Sequence, residues 1–139
     1  MPIRPDDIAL NKAAIIERAL RRMRQEYQAN PQLDNYTHVD AMTLNVERAC
    51  QAAIDLAMHI VAQQRLGMPQ SSAEAFQLIH QAGYINKELL RDMIAMTGFR
   101  NIAIHEYQQM DMSVLRNIGE TRWQSLVTYC QALGVRIEP

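Results

Sequence analysis

Glycine and proline, five of each in 139 residues, fall mostly in short clusters, and the stretches between them repeat apolar residues at three- and four-residue intervals. That spacing belongs to amphipathic helices, and no stretch shows the strict alternation of a half-buried strand. The chain therefore reads as all-α, an antiparallel bundle of four long helices plus a shorter one. No repeat, low-complexity tract or linker divides it, so residues 1–139 are expected to form a single helical domain. A chain of this length can bury roughly two thirds of the surface exposed when unfolded.

The first helix is expected from about Asp7 to Gln28. Pro5, Asp6 and Asp7 suit its positive end, and Ile8, Ala13, Ile15, Ile16, Ala19, Leu20, Met23 and Tyr27 supply its buried stripe. Asn30 and Pro31 end it. A polar connector from Gln32 to His38 leads into a long helix from about Val39 to Leu66, stopped by Gly67 and Pro69. In it Val46, Cys50, Ala53, Ala57, Ile60 and Val61 keep helical spacing, and Ala49, Ala52, Ala53 and Ala57 allow a neighbouring helix to approach closely. Ser71 and Glu74 form a capping box for a short helix from about Ser72 to Gln81. Asn86 caps a fourth helix through about Met96, with Leu89, Leu90, Met93 and Ile94 inward and Gly98 interrupting it. A final helix runs from about Ser113 to Leu133 with Leu115, Ile118, Trp123, Leu126, Val127 and Cys130 turned to the core.

Nearly half the residues are apolar, yet no uninterrupted apolar run approaches the ~20 residues that cross a bilayer, and no charged leader precedes a short apolar segment. A soluble cytoplasmic protein without membrane partners is expected. Cys50 and Cys130 lack CxxC or histidine-spaced companions and read as reduced core residues. The formal net charge of −1 does not advertise a polyanionic partner. Its distribution says more: Lys12, Arg18, Arg21, Arg22 and Arg24 face a single acid, Glu17, in one stretch. Such a stretch either grips phosphates or forms an ordinary solvated helix face.

The residues with chemistry to offer sit in one decapeptide, Gly-Phe-Arg-Asn-Ile-Ala-Ile-His-Glu-Tyr at 98–107. Arg100 keeps its charge at any physiological pH and His105 titrates near neutrality. Together they are the two groups needed to break a phosphodiester without a metal. On an ideal helix Asn101 and His105 stack one turn apart while Arg100 and His105 diverge. Their convergence needs a bend after Gly98, a non-helical segment, or a second copy of the chain across a two-fold axis; the last is favoured, because a symmetric dimer offers two imidazoles to one bond. One His105 then takes the proton of the ribose 2′-hydroxyl, its symmetry mate protonates the departing 5′-oxygen, and Arg100 neutralises the charge growing on phosphorus. Asn101 holds His105 or the substrate through its amide. From spacing alone, an arginine at a helix start, a packed histidine and a corner tyrosine serve stability equally well.

The whole chain resembles the HepT-like toxins of the HEPN superfamily, whose signature is an arginine, four residues, a histidine, one residue and a tyrosine; Arg100, His105 and Tyr107 match it. The likeness extends to Ala-Ile-Asp-Leu-Ala-Met-His-Ile at 53–60 and Ser-Ala-Glu-Ala-Phe at 72–76, and spans about residues 8 to 130. The resemblance implies an all-α, HEPN-like fold and a homodimeric ribonuclease toxin with its cleft between protomers, acting on tRNA or mRNA. It also implies Arg100 and His105 as the catalytic pair and, as partner, a minimal nucleotidyltransferase (MNT) antitoxin. That partner uses ATP and Mg to adenylylate Tyr107, whose added negative charge would fill the positive pocket and repel RNA. No cofactor is expected for cleavage itself. A competing reading is a non-catalytic helical subunit that docks on a nucleotidyltransferase, and a third is a stable helical dimer with neither activity.

Glu47, Gln51, Asp55 and His59 recur every four residues on the second helix. They read as a solvated face, with Glu47, Asp55 and His59 as alternative cleft-wall or dimer-interface candidates. No histidine is followed by an acidic or histidine partner at i+3 or i+4, the spacing of helical metal sites, so no metal is expected.

Overall fold

The computed structural model describes the backbone of residues 3–105 and 112–139 and the side chains of residues 3–99 and 112–139. Among these residues the regular structure is helical: α1 (Asp7–Ala29), α2 (Tyr36–Gln63), α3 (Ser72–Gln81), α4 (Lys87–His105), α5 (Met112–Asn117), a π-helical turn (Ile118–Arg122) and α6 (Trp123–Ala132). The last three make one continuous rod. Four long rods and the short α3 give the expected bundle.

Local chemistry places most of the ends. The Asp6 carboxylate accepts from the Ala9 amide at 2.9 Å, the Ser71 hydroxyl from the Glu74 amide at 3.1 Å, and the Asn86 side chain from the Leu89 amide at 2.8 Å. Two expectations need correction. α2 begins three residues before Val39, because Asn35 accepts from the amides of Thr37 and His38, and Asn30 holds the Asn35 amide at 3.0 Å. It ends at Gln63 rather than Leu66, where Arg65 takes a left-handed backbone angle, φ 55°. The second correction bears on the site: α4 does not stop near Met96 but continues through Gly98 to His105. One glycine costs a helix only about 1 kcal/mol, and buried Met96, Thr97 and Phe99 flank it.

α1 and α2 form an antiparallel hairpin. Ala9, Ala13, Ile16, Leu20 and Met23 on α1 meet an α2 face that includes Ala49, Ala53, Ala57 and Ile60, all buried. Ala9, rather than the expected Ile8, lies in register with that stripe, so Ile8 remains 51% exposed. α4 lies against α2, α3 and α6. Tyr129 of α6 crosses the core: its hydroxyl donates to the Ala53 carbonyl at 2.8 Å, and its ring meets Phe76 of α3 edge-on, centroids 5.8 Å apart. Cys50 and Cys130 are buried free thiols, and burial, aided by the Glu17 carboxylate, pushes the Cys130 thiol up to about 12.

The α1–α2 seam is tied by polar pairs that the sequence left as a solvated stripe. His59 Nε2 lies 2.7 Å from Asp6 Oδ2, Gln63 donates to the same oxygen at 3.0 Å, and Lys12 reaches Asp55 at 3.4 Å. Asp6 thus caps α1 and anchors the end of α2. The Ala9 amide bond, then His59, hold its carboxyl below the ordinary 3.8.

The π-helical turn was not foreseen. It sets Gly119 against α1 and α2 so closely that a Cβ there would lie 2.8 Å from Tyr27 Cγ and 2.9 Å from Met42 Cε. Beside it the Tyr27 hydroxyl donates to Glu120 at 2.7 Å, and Arg24 stacks 4.1 Å over the Trp123 ring.

Gly119→Ala is expected to destabilise the fold by about 1–3 kcal/mol through overpacking, measured by urea unfolding. Asp6→Asn keeps a capping oxygen but loses the carboxylate. Because the folded-state pKa of Asp6 is lowered, its stabilisation is full above the unfolded value and fades as pH falls through the folded one. The stability gap between parent and Asp6→Asn, followed by denaturation across pH, should therefore be complete at neutral pH and shrink below 3.8.

Candidate functional site

α4 carries the residues expected to do chemistry near its end, and its earlier turns determine how that end is held. Leu89, Met93, Met96 and Phe99, spaced four, three and three, are buried and fix the rotation of the helix. Leu90 and Ile94, expected inward, are only half-buried flanks of that stripe. Asp92, half-buried on the side of α4 that faces the C-terminal rod, receives Arg122 at 3.2 Å and the Ser125 hydroxyl at 3.0 Å, clamping the helix to that rod.

The backbone of α4 carries Arg100, Asn101 and His105, whose side chains lie outside the described residues, as does the whole of Tyr107. The unbroken helix still settles one point. With about 100° of rotation per residue, the α-carbons of positions 100 and 105 lie about 140° apart around the axis. The expected interruption at Gly98 is therefore not what brings the two residues onto one phosphate.

Between α4 and the C-terminal rod opens a cavity of about 460 Å³. Met96, Phe99 and Ile118 are buried in its lining, and Arg91, Asp92 and Arg122 give it a charged rim. It reaches Phe99, the residue before Arg100. Its size and its mixture of apolar lining with a few polar groups suit a nucleotide-sized ligand. Sequence reasoning missed this wall. Asp92 and Arg122 are thirty residues apart, and only the antiparallel packing of α4 on the last rod joins them.

Of the secondary candidates, Asp55 and His59 are engaged with Lys12 and Asp6 in the α1–α2 seam, and Gln51 donates to Asp55 at 2.9 Å. Glu47 is half-buried on the same helix. None of these lines the cavity beside α4. Among the described residues, no group of three or more His, Cys, Asp and Glu is placed to hold a metal ion, and no helix is long and apolar enough to cross a membrane.

Comparison with known proteins places this geometry. The family model described as ribonuclease HepT-like matches residues 13–133. The chain is similar to the mRNA nuclease HepT of Shewanella oneidensis, 40% identical over 114 residues that cover 81% of this chain and 86% of that one. It is also similar to the tRNA nuclease HepT of Aphanizomenon flos-aquae, 31% identical over 86 residues, 59% of this chain and 58% of the other. Among solved structures, the tri-AMPylated Shewanella oneidensis HEPN toxin in complex with MNT antitoxin superposes with a TM-score of 0.88 at 35% identity, covering 93% of this chain and 98% of that one. A toxin–antitoxin crystal structure with AMP-PNP gives 0.87 at 33% identity, covering 92% and 98%.

Proposed function

The chain belongs to the ribonuclease HepT-like family, and from that premise we propose that it is the toxin of a toxin–antitoxin pair, an endoribonuclease that cuts messenger or transfer RNA in the cytoplasm without a metal ion. The observation that carries this reading is the 40% identity with an mRNA nuclease over most of both chains. Arg100, His105 and Tyr107 stand beside it at the family spacing. Relatives named as nucleases favour it over the docking-subunit alternative.

Two copies of the chain share the cleft. Continuous helix through His105 supports this, because it sets positions 100 and 105 on different sides of one rod. One His105 imidazole removes the 2′-hydroxyl proton, and the alkoxide attacks phosphorus. The bond to the 5′-oxygen breaks as the second imidazole protonates it, leaving a 2′,3′-cyclic phosphate. Arg100 balances the extra negative charge on the phosphoryl oxygens, and Asn101 positions the imidazole or the substrate. Tyr107 is the control point. The MNT partner uses ATP and Mg to place adenylate there, and each added phosphodiester brings negative charge where the RNA backbone must dock. The AMPylated toxin among the solved structures supports this assignment.

Purified protein should cut RNA but not DNA in the presence of chelator, and His105→Ala or Arg100→Ala should slow cutting on the order of 10²–10⁴-fold. Gel analysis of end-labelled RNA checks this, and metal-dependent cutting or an active His105→Ala would sink it. Co-expression with the cognate nucleotidyltransferase should raise the intact mass by one or more adenylate units. Tyr107→Phe should abolish the gain while leaving a protein that still cuts.

A further inference from the structure

On the edge of the bundle between α1 and α2 lies a second cavity of about 310 Å³, lined by Ile15, Arg18, Ala19, Arg22, Asn45 and Arg48. Its lining contains three guanidiniums and no carboxylate. The basic stretch of α1 is otherwise largely consumed within the chain: Lys12 pairs with Asp55, Arg21 donates to the Glu138 carbonyl, and Arg24 covers Trp123. Arg22 shares its charge with Glu26 at 2.8 Å. Arg18 and Arg48 are exposed, make no hydrogen bond or ion pair with a described residue, and face the groove from opposite walls. The floor is firm, since Asn45 is buried with its amide donating to the Ala41 carbonyl at 2.8 Å.

We propose that the Arg18–Arg22–Arg48 groove is a phosphate-binding exosite that holds the backbone of single-stranded RNA outside the cleavage cleft. This rests on the ribonuclease reading of the chain. Guanidinium forks match phosphate oxygens in pairs, and Arg18 and Arg22 repeat one helical turn apart, so the groove presents a short row of cations rather than a point. Its only large apolar lining residue, Ile15, is half-buried, which leaves the groove without the exposed apolar centre on which a protein partner would dock. The placement fits a strand that continues to the cleft. Phe99 and Ile118 line one cavity, and the adjoining Gly119 packs on Tyr27 and Met42, which sets the level at which α4 reaches Arg100. From Tyr27 to Arg22, and from Met42 to Asn45 and Arg48, is one to two helical turns, about 5–9 Å along the axis.

The test measures binding of a short fluorescent single-stranded RNA by anisotropy across a salt series, in a His105→Ala background so that the strand stays intact. With Arg18→Gln and Arg48→Gln together, affinity should fall on the order of tenfold for unrelated sequences alike, and the slope of log affinity against log salt should become shallower by about 1.4, two contacts at about 0.7 each. Arg18→Lys with Arg48→Lys should restore most of the slope, and melting temperatures should match the parent. In the active protein the glutamine pair should raise KM for long RNA while leaving cleavage of a dinucleotide unchanged. An unaltered salt slope would overturn the exosite, as would loss of binding to the purified nucleotidyltransferase with RNA binding intact. Failure of the parent to cut RNA in chelator would instead overturn the nuclease reading, and the binding series would still decide the groove.

Discussion

The close approach of other helices to α2 is the constraint on which the molecule depends. α2 is touched by α1, α3 and α4, and it receives Tyr129 from α6 at the Ala53 carbonyl. Only small side chains permit this, and Ala49, Ala52, Ala53 and Ala57 are all buried there. A larger residue at any of them would push a neighbouring helix outward, because interiors packed at crystal density have no slack to absorb extra methylenes. Gly119 plays the same part on the C-terminal rod. There the helix widens to a π turn and brings its backbone against Tyr27 and Met42. The position of α4, and so of the backbone that carries Arg100 and His105, follows from these contacts.

Features governed by local chemistry were legible in the sequence. Ser71 and Asn86 cap the helices they were expected to cap, because a side-chain oxygen two or three residues before a free amide acts without reference to the rest of the chain. Features decided by packing were not. Gly98 looked like a stop but sits within a helix whose buried flanks, Met96 and Phe99, outweigh its propensity. Ile8 looked like core, yet the register of α1 on the seam is set by buried Ala9, and Ile8 faces water. The π turn has no local signature, since a glycine among helix formers reads the same whether the rod winds regularly or bulges.

The candidate site divides along the same line. Arg100, His105 and Tyr107 stand close together in the chain and were found from spacing and family likeness. The cavity wall along the preceding turns of α4 was invisible, because Asp92, Arg122 and Ser125 become neighbours only when α4 and the last rod lie antiparallel. The α1–α2 seam shows the converse. Asp55 and His59 fell on a regular polar stripe, but periodicity cannot say that the partners across the gap are Lys12 and Asp6.

On the proposed mechanism, helix geometry also bears on how modification of Tyr107 controls the enzyme. Positions 100 and 105 lie about 140° apart on a continuous helix, which favours a cleft in which two copies present their halves together. A tyrosine two residues beyond the histidine is then repeated across the same axis. Modification on either copy places negative charge in a space that both guanidiniums serve, and the attraction that concentrates RNA there is reversed without unfolding the bundle.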